Sequence, residues 1–183
     1  RTQGIDFVFT YNGKLNENSS YNVGIVGNMN DLKIDKIHNG VLNEFTFFSP
    51  FSRAYLKAAA PDYKLGLNFG FKSDKFAANA TFTNFSKVKL QDFQWVDTPP
   101  TTQQEADALY AVATDIYRSA MTVDLNLSYQ FSKSISFAVG GNNIFNQYPT
   151  PQFDGWTDQG GLMDSVQMGS DGAYFFGKLG FKF

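Results

Sequence analysis

Apolar and polar residues alternate in seven segments of this 183-residue chain, and no other feature restricts its fold as strongly. In the segment 63–72, for example, every odd position is apolar and the even positions hold Lys, Gly or Asn. This period of two is typical of β-strands whose two faces meet different surroundings. The pattern therefore predicts an all-β fold with strands near residues 4–13, 21–31, 63–72, 75–86, 122–132, 135–146 and 173–183.

The connections between these strands alternate in length. Three of them are short polar turns, whereas the segments near 32–62, 87–121 and 147–172 far exceed the usual length of about 4–6 residues. Short turns would then lie at one end of the sheet and long loops at the other, as in bacterial outer-membrane barrels. A soluble sandwich could show the same asymmetry by chance.

Composition excludes several functional classes. Cysteine is absent and His38 is the single histidine, so neither thiolate chemistry nor a His-ligated or Cys-ligated metal centre is expected. The formal net charge of -2 argues against a nucleic-acid partner. The first six residues lack the features of a signal peptide, so we expect the chain to begin inside a longer protein.

We find no motif that would place a nucleophile beside a base, and we predict neither catalytic, cofactor nor metal residues. Carboxylate pairs such as Asp154 and Asp158 lie in loops and are interpreted as solvated charges. Calcium bound by such loop carboxylates stays open as an alternative, although no EF-hand spacing is present.

Alternation alone does not say whether the apolar face meets a protein core, as in a lipocalin, or lipid. The apolar positions carry no charge, and the opposite face is rich in Asn, Ser, Thr and Gly, which suits a water-filled or plugged lumen. Aromatic residues also gather at the short-turn ends, where a membrane boundary would hold them. The predicted interface aromatics are Tyr11, Tyr21, Phe71, Phe76, Tyr129 and Phe131.

Motifs in five stretches follow one another along the chain in a recognisable order, namely 1–6, 60–64, 124–131, 140–148 and 173–183. The most specific pair is the Asn-Asn-Ile-Phe element at 142–145 and the terminal aromatic strand. In this order and spacing the stretches resemble the C-terminal part of the barrel of TonB-dependent outer-membrane receptors.

The resemblance implies a 22-stranded barrel that encloses an N-terminal plug domain. No plug or TonB-binding box occurs in these residues, so we expect the chain to be roughly the last third of a longer barrel. The implied location is the outer membrane of a Gram-negative bacterium. The implied partners are membrane lipid, the remaining barrel and plug, the TonB energy-coupling complex, the barrel-assembly machinery and a surface lipoprotein.

The resemblance also implies roles for particular residues. The terminal strand resembles the signal read by the barrel-assembly machinery, which falls here on Phe175, Leu179, Phe181 and Phe183. The implied function is import of a scarce solute, such as a siderophore, glycan, peptide or cofactor. An outer-membrane enzyme, a structural barrel without active transport and a soluble lipid-binding barrel are the alternatives.

The long loops hold many aromatic residues for exposed segments. Such rings could stack on a solute, and Trp95, Phe153 and Trp156 are the best candidates for ligand contact. Alternatively, most of the loop aromatics pack the loops against each other above the rim. Residues 103–118 combine good helix formers with an acidic first turn, which predicts a short structural helix in the second long loop.

Overall fold

The computed structural model describes residues 1–58, 61–91, 96–152 and 166–182. In chain order its elements are β1 (Thr2–Asn16), β2 (Ser19–Leu32), α1 (Glu44–Phe47), α2 (Pro50–Ala58), β3 (Tyr63–Lys72), β4 (Phe76–Phe85), β5 (Val88–Gln91), α3 (Gln103–Ala108), β6 (Thr114–Tyr117), β7 (Ala120–Gln130), β8 (Ile135–Asn142) and β9 (Tyr174–Phe181).

Seven strands form one antiparallel sheet in the order β1-β2-β3-β4-β7-β8-β9, which confirms the predicted fold class. Each strand pairs with the next strand of the sheet along the chain, so the sheet is a meander. Within the described residues, the outer edges of β1 and β9 have no pairing strand. No helix in the described part of the chain has the length and hydropathy needed to cross a membrane.

Local hydrogen bonds explain the short turns. The Asn16 side chain accepts the Asn18 N–H at 2.9 Å, and the backbone N–H of Ser73 donates to the Phe76 carbonyl at 2.7 Å. Two of these turns are also joined, because the Asn18 amide donates to the Asp74 carboxylate at 2.9 Å. Neighbouring hairpins are therefore linked beyond the strands themselves.

Consecutive glycines fix how β8 meets β9. A Cβ on Gly140 would lie 2.5 Å from the Phe176 ring, and one on Gly141 would lie 2.6 Å from the Phe175 ring. The two rings thus lie across the two glycines on opposite faces of the sheet. Gly177 differs, because nothing lies within 4 Å of a Cβ built there. Close cross-strand contact explains glycine at the first two positions.

β8 ends earlier than predicted, at Asn142 instead of near 146. Asn143 and Asn146 have positive φ angles of 49° and 54°, so the backbone leaves the extended conformation there. The Asn143 side chain accepts the Gln147 N–H at 2.9 Å, and that of Asn146 accepts the Ala173 N–H at 2.9 Å. These side-chain bonds take the place of strand pairing.

The long loops fold into a second layer, which we call the loop layer: α1, α2 and α3 with the two-stranded sheet β5-β6. The predicted helix over 103–118 is only partly right. α3 begins with a Thr102 capping box but ends at Ala108, and the chain then forms β6. The strand conformation of β6 is favoured over a longer α3 because Tyr117 pairs with Val88 and is completely buried.

Two small clusters hold the loop layer together. In one, Ala54 of α2 packs with Ala106 of α3 and Ala113. In the other, Ala58 packs with residues of β5 and β6, namely Val88, Leu90 and Tyr117. The first and second long loops therefore share a core with each other.

Candidate functional site

The register of the sheet places its apolar residues on one continuous side. Residues that are direct cross-strand partners point to the same face, and one row runs Phe9, Ile25, Leu67, Phe82, Val123 across five strands. We call this side the apolar face. It comprises the odd-numbered residues of 5–13, 21–29, 63–71, 121–129, 135–141 and 175–181 and the even-numbered residues of 76–84.

The apolar face is free of charge and, apart from Val123, which is buried, its side chains are left at least partly exposed by the described residues. Its residues are aliphatic, aromatic or Gly, apart from Asn84 at the loop end. Large side chains remain open on it, such as Ile5 at 65% exposure, Phe9 at 57% and Leu179 at 60%. Soluble proteins rarely expose apolar patches of this extent, so the face requires an apolar partner.

The strand length suits a membrane. β3 has 10 residues, Tyr63–Lys72. A strand that crosses a membrane at the tilt found in barrels needs about 9–11 residues.

The predicted interface aromatics come together at one end of this face. The Tyr11 and Tyr21 rings are 6.0 Å apart, and the Phe71 and Phe76 rings are 6.2 Å apart. Tyr129 pairs with Phe76 across the strands, and the ring centroids of Tyr129 and Phe131 are 4.9 Å apart. All six residues thus form a band beside the short turns. Their contact with a membrane boundary remains a prediction.

The opposite side, the polar face, carries amides, hydroxyls and scattered charges. The Asn68 amide donates to the Thr81 hydroxyl at 3.0 Å, and the Asn28 amide donates to the Asp6 carboxylate. Asp124 accepts the backbone N–H of Asn143 at 2.7 Å. These groups satisfy one another in part and leave the face hydrophilic, as a water-filled or plugged lumen requires.

The polar face also holds an aromatic pair that sequence reasoning missed. Tyr174 and Phe176 of β9 are stacked with ring centroids 6.2 Å apart, and the Lys178 ammonium lies 5.1 Å from the Phe176 ring. The alternation of the strand could have revealed this pair. Phe175 and Leu179 occupy odd positions of β9 and face lipid in the prediction, so the even-numbered Tyr174 and Phe176 must face the other side.

Three of the four predicted barrel-assembly residues lie on β9. Phe175, Leu179 and Phe181 share the apolar face of β9, each about 60% exposed or more. Phe183 lies outside the described residues. Recognition by an assembly machinery remains a prediction.

The three predicted ligand contacts, Trp95, Phe153 and Trp156, lie outside the described residues. Other loop aromatics pack against each other within the loop layer, which is the alternative to ligand contact. The ring centroids of Phe51 and Tyr55 are 4.5 Å apart, and Tyr117 is buried. The Arg53 guanidinium lies 4.7 Å from the Phe45 ring and bonds Glu44 at 2.8 Å. Phe47 and Tyr110 stay exposed.

Electrostatics in the loop layer centre on the start of α3. The backbone N–H groups of Thr101 and Thr102 donate to the Glu105 carboxylate at 2.8 and 3.1 Å. These bonds, that from Thr101 above all, lower the pKa of Glu105. Among the described residues, no three His, Asp or Glu side chains meet as a metal site would require.

No protein-family model and no curated protein sequence matches the chain. Some solved structures, in contrast, are similar to the chain. The ferric enterobactin receptor (PfeA) of Pseudomonas aeruginosa matches with a TM-score of 0.52 and 15% identity over 97% of this chain. The ferripyoverdine receptor of the outer membrane of Pseudomonas aeruginosa matches with a TM-score of 0.50 and 13% identity over 98%.

The match covers 22% of the first receptor and 19% of the second, so the chain spans about a fifth of their length. At this identity the likeness shows the fold. The seven-stranded sheet is a segment of an outer-membrane-type antiparallel β-barrel, as the uncharged apolar face and the resemblance predict.

Proposed function

We propose that this chain supplies part of the barrel wall and the outer loops of a TonB-dependent receptor, which imports a scarce solute across the outer membrane of a Gram-negative bacterium. The observation that carries the proposal is the continuous apolar face. Seven strands expose large apolar side chains in register without a charge among them. Lipid is the surrounding that such a face fits.

The open edges support a larger barrel. Within the described residues, β1 and β9 each lack a partner on their outer side. A membrane offers no water to satisfy free backbone N–H and C=O groups, so further strands must pair with both edges. We propose that these residues are the C-terminal part of a barrel of about 22 strands.

The polar face supports an occupied lumen. Its amides and hydroxyls match a hydrated passage or the surface of a plug domain, rather than lipid. We propose that the plug couples to the TonB complex, and that the aromatic side chains of β9 are read by the barrel-assembly machinery. A surface lipoprotein above the loop layer is a further proposed partner.

Trp95, Phe153 and Trp156 are the proposed solute contacts in the long loops. Flat rings on exposed loops can stack on a sugar, a peptide or an aromatic chelator. The similar structures are named for ferric enterobactin and ferripyoverdine. A ferric siderophore is therefore the first solute class to test, before glycans, peptides and cofactors. We propose no catalytic residue.

A transport assay tests the function and the contacts together. The full-length protein that carries this segment is restored to a deletion strain as wild type, as a Trp95→Ala, Trp156→Ala double variant, and as Phe47→Ala. Phe47 is the matched control, because it is an exposed loop aromatic outside the proposed contacts. The readout is depletion of ferric siderophores and other solutes from the medium by mass spectrometry.

We expect the double variant to lose uptake while its folded amount in the outer membrane stays at the wild-type level and Phe47→Ala behaves as wild type. Unchanged uptake in the double variant would remove the two tryptophans. Uptake that does not depend on the gene at all would favour a structural barrel. A full-length protein that stays folded without detergent would favour the soluble lipid-binding barrel.

A further inference from the structure

A cavity opens at the loop end of the apolar face, where β7 begins. It has a volume of about 390 Å³, and its lining includes Arg118, Met121, Phe145, Tyr148 and Thr150. Met121 belongs to the apolar face through its pairing with Asn84. The cavity is therefore continuous with the surface that we assign to lipid.

Arg118 is held in place by its backbone while its side chain stays open. Its N–H donates to the Thr150 hydroxyl at 2.8 Å, and its carbonyl accepts the Gln167 amide at 3.0 Å. The preceding residue, Tyr117, is completely buried. The main chain of Arg118 is thus fixed, although the residue itself is exposed.

The Arg118 guanidinium has no carboxylate partner among the described residues. The ion pairs found there join Arg53 to Glu44 and Lys33 to Asp31. Arg53 shows the usual arrangement, since it bonds Glu44 and lies over aromatic rings with 12% of its side chain exposed. Arg118 in contrast presents a planar cation beside a cavity, with no carboxylate partner in the described part of the chain.

The rest of the cavity is suited to an amphiphile. Met121, Phe145 and Tyr148 are 49%, 63% and 44% exposed, so their apolar surfaces are free for contact. Tyr148 and Gln147, which also line the cavity, bring a hydroxyl and an amide to its lining. The lining of the cavity thus combines a cation and polar groups with apolar side chains.

We propose that this cavity binds the phosphate group of a membrane lipid, with the phosphate on Arg118 and an acyl chain along Met121 and Phe145. Guanidinium binds phosphate through two parallel hydrogen bonds, and a cation at the rim of an apolar band lies at headgroup level. The apolar wall explains why a lipid fits better than free phosphate. This inference rests on the proposed membrane orientation of the sheet.

The test titrates each probe into the full-length protein in non-ionic detergent and measures the heat of binding by isothermal titration calorimetry. The probes are dihexanoyl phosphatidic acid, the uncharged dihexanoyl glycerol and inorganic phosphate. The variants are Arg118→Ala, Arg118→Lys and, as the matched control, Lys72→Ala. Lys72 carries the same charge but lies on the polar face, where it pairs with Ser20 and Ala77.

We expect Arg118→Ala to weaken phosphatidic acid binding about tenfold, the effect of losing a charge-assisted hydrogen bond. Arg118→Lys should be intermediate, and Lys72→Ala should bind as wild type. Equal binding by wild type and Arg118→Ala would overturn the proposal, as would an equal loss in Lys72→Ala. Inorganic phosphate that binds as tightly as the lipid would identify a free-anion site and reject the lipid.

The outcome is separable from that of the proposed function. If the sheet does not face lipid, the wild-type protein itself will remain folded in buffer without detergent. If only the lipid site is wrong, the wild type and Arg118→Ala will both require detergent and will bind phosphatidic acid alike.

Discussion

The sheet and the loop layer bury their apolar residues in opposite ways. The buried hydrophobic side chains of the described residues lie in the loop layer and the segments that link its elements, with the exceptions of Phe85 and Val123. The sheet instead exposes Ile5, Phe9 and Leu179 by more than half. One region thus carries its own small core, whereas the other presents its apolar side chains outward.

The contrast indicates two different solvents around one chain. In water, leaving a large apolar side chain exposed forgoes about 1.5–3 kcal/mol of burial. The loop layer avoids that cost with its two clusters. The sheet avoids it only where its surroundings are themselves apolar. Substitutions on either side should therefore behave differently, and each can break or refine the contrast.

The largest effect is expected for Leu90→Ala in the loop layer. Leu90 is 3% exposed in the cluster with Ala58 and Tyr117, and loss of such a side chain costs about 2–5 kcal/mol. Limited proteolysis of the full-length protein should show faster loop cleavage with an intact barrel. Val112→Ala, at an 80% exposed position, serves as the control. Loss of the barrel together with the loops would break the contrast, since the two regions would then be one unit.

The second largest effect is expected when a charged residue is introduced on the apolar face. Leu125 lies midway between Met121 and Tyr129 on that face, where an arginine facing lipid costs about 2–4 kcal/mol. Leu125→Arg should lower the urea midpoint of the protein in lipid vesicles. Asn126→Arg, on the polar face of the same strand, should change it far less. Equal losses in the two variants would mean that both faces meet the same solvent.

The smallest effect is expected at the cap of α3. The Thr102 hydroxyl accepts the Glu105 N–H at 3.2 Å, and loss of such a cap costs about 0.5–2 kcal/mol. In Thr102→Ala, amide exchange should therefore lose protection at Ala106 and Leu109, whose N–H groups donate to the carbonyls of Thr102 and Glu105.

The same cap should depend on pH. Because hydrogen bonds lower the pKa of Glu105 in the folded chain, its contribution is complete above the unfolded value of about 4.3 and is lost as the pH falls through the folded value. Protection factors of Ala106 at neutral and acidic pH measure this. Glu105→Gln keeps an acceptor but should remove the pH dependence. A pH effect that persists in Glu105→Gln would place its origin elsewhere.

Much of the sheet was predictable, because its information is local. A period of two defines both strand position and face, and six aromatics at the short-turn ends predict the band beside the turns. The ends of the strands were less predictable. Asn143 ends β8 because its backbone is left-handed, a conformation that the Asn-Asn sequence permits but does not require.

The loop layer was largely not predictable. Thr114–Tyr117 becomes a strand through its pairing with Val88–Gln91, far away in sequence, although it directly follows a stretch of helix formers. α2 forms where Ala54 and Ala58 find partners in the second long loop. Contacts between distant segments decide these elements, and alternation carries no signal for them. The site residues Trp95, Phe153 and Trp156 rest on residue type alone.

The meander has a consequence for how such a wall changes over evolutionary time. Every strand of the sheet is bonded to its sequential neighbours, and the turn between β1 and β2 is tied to the next turn by the bond from Asn18 to Asp74. A duplicated hairpin inserted between two neighbouring strands therefore replaces one strand pairing with three and leaves every other pairing as it was. The circumference of the barrel becomes adjustable in steps of two strands, and a change of bore needs only gene duplication within one continuous stretch.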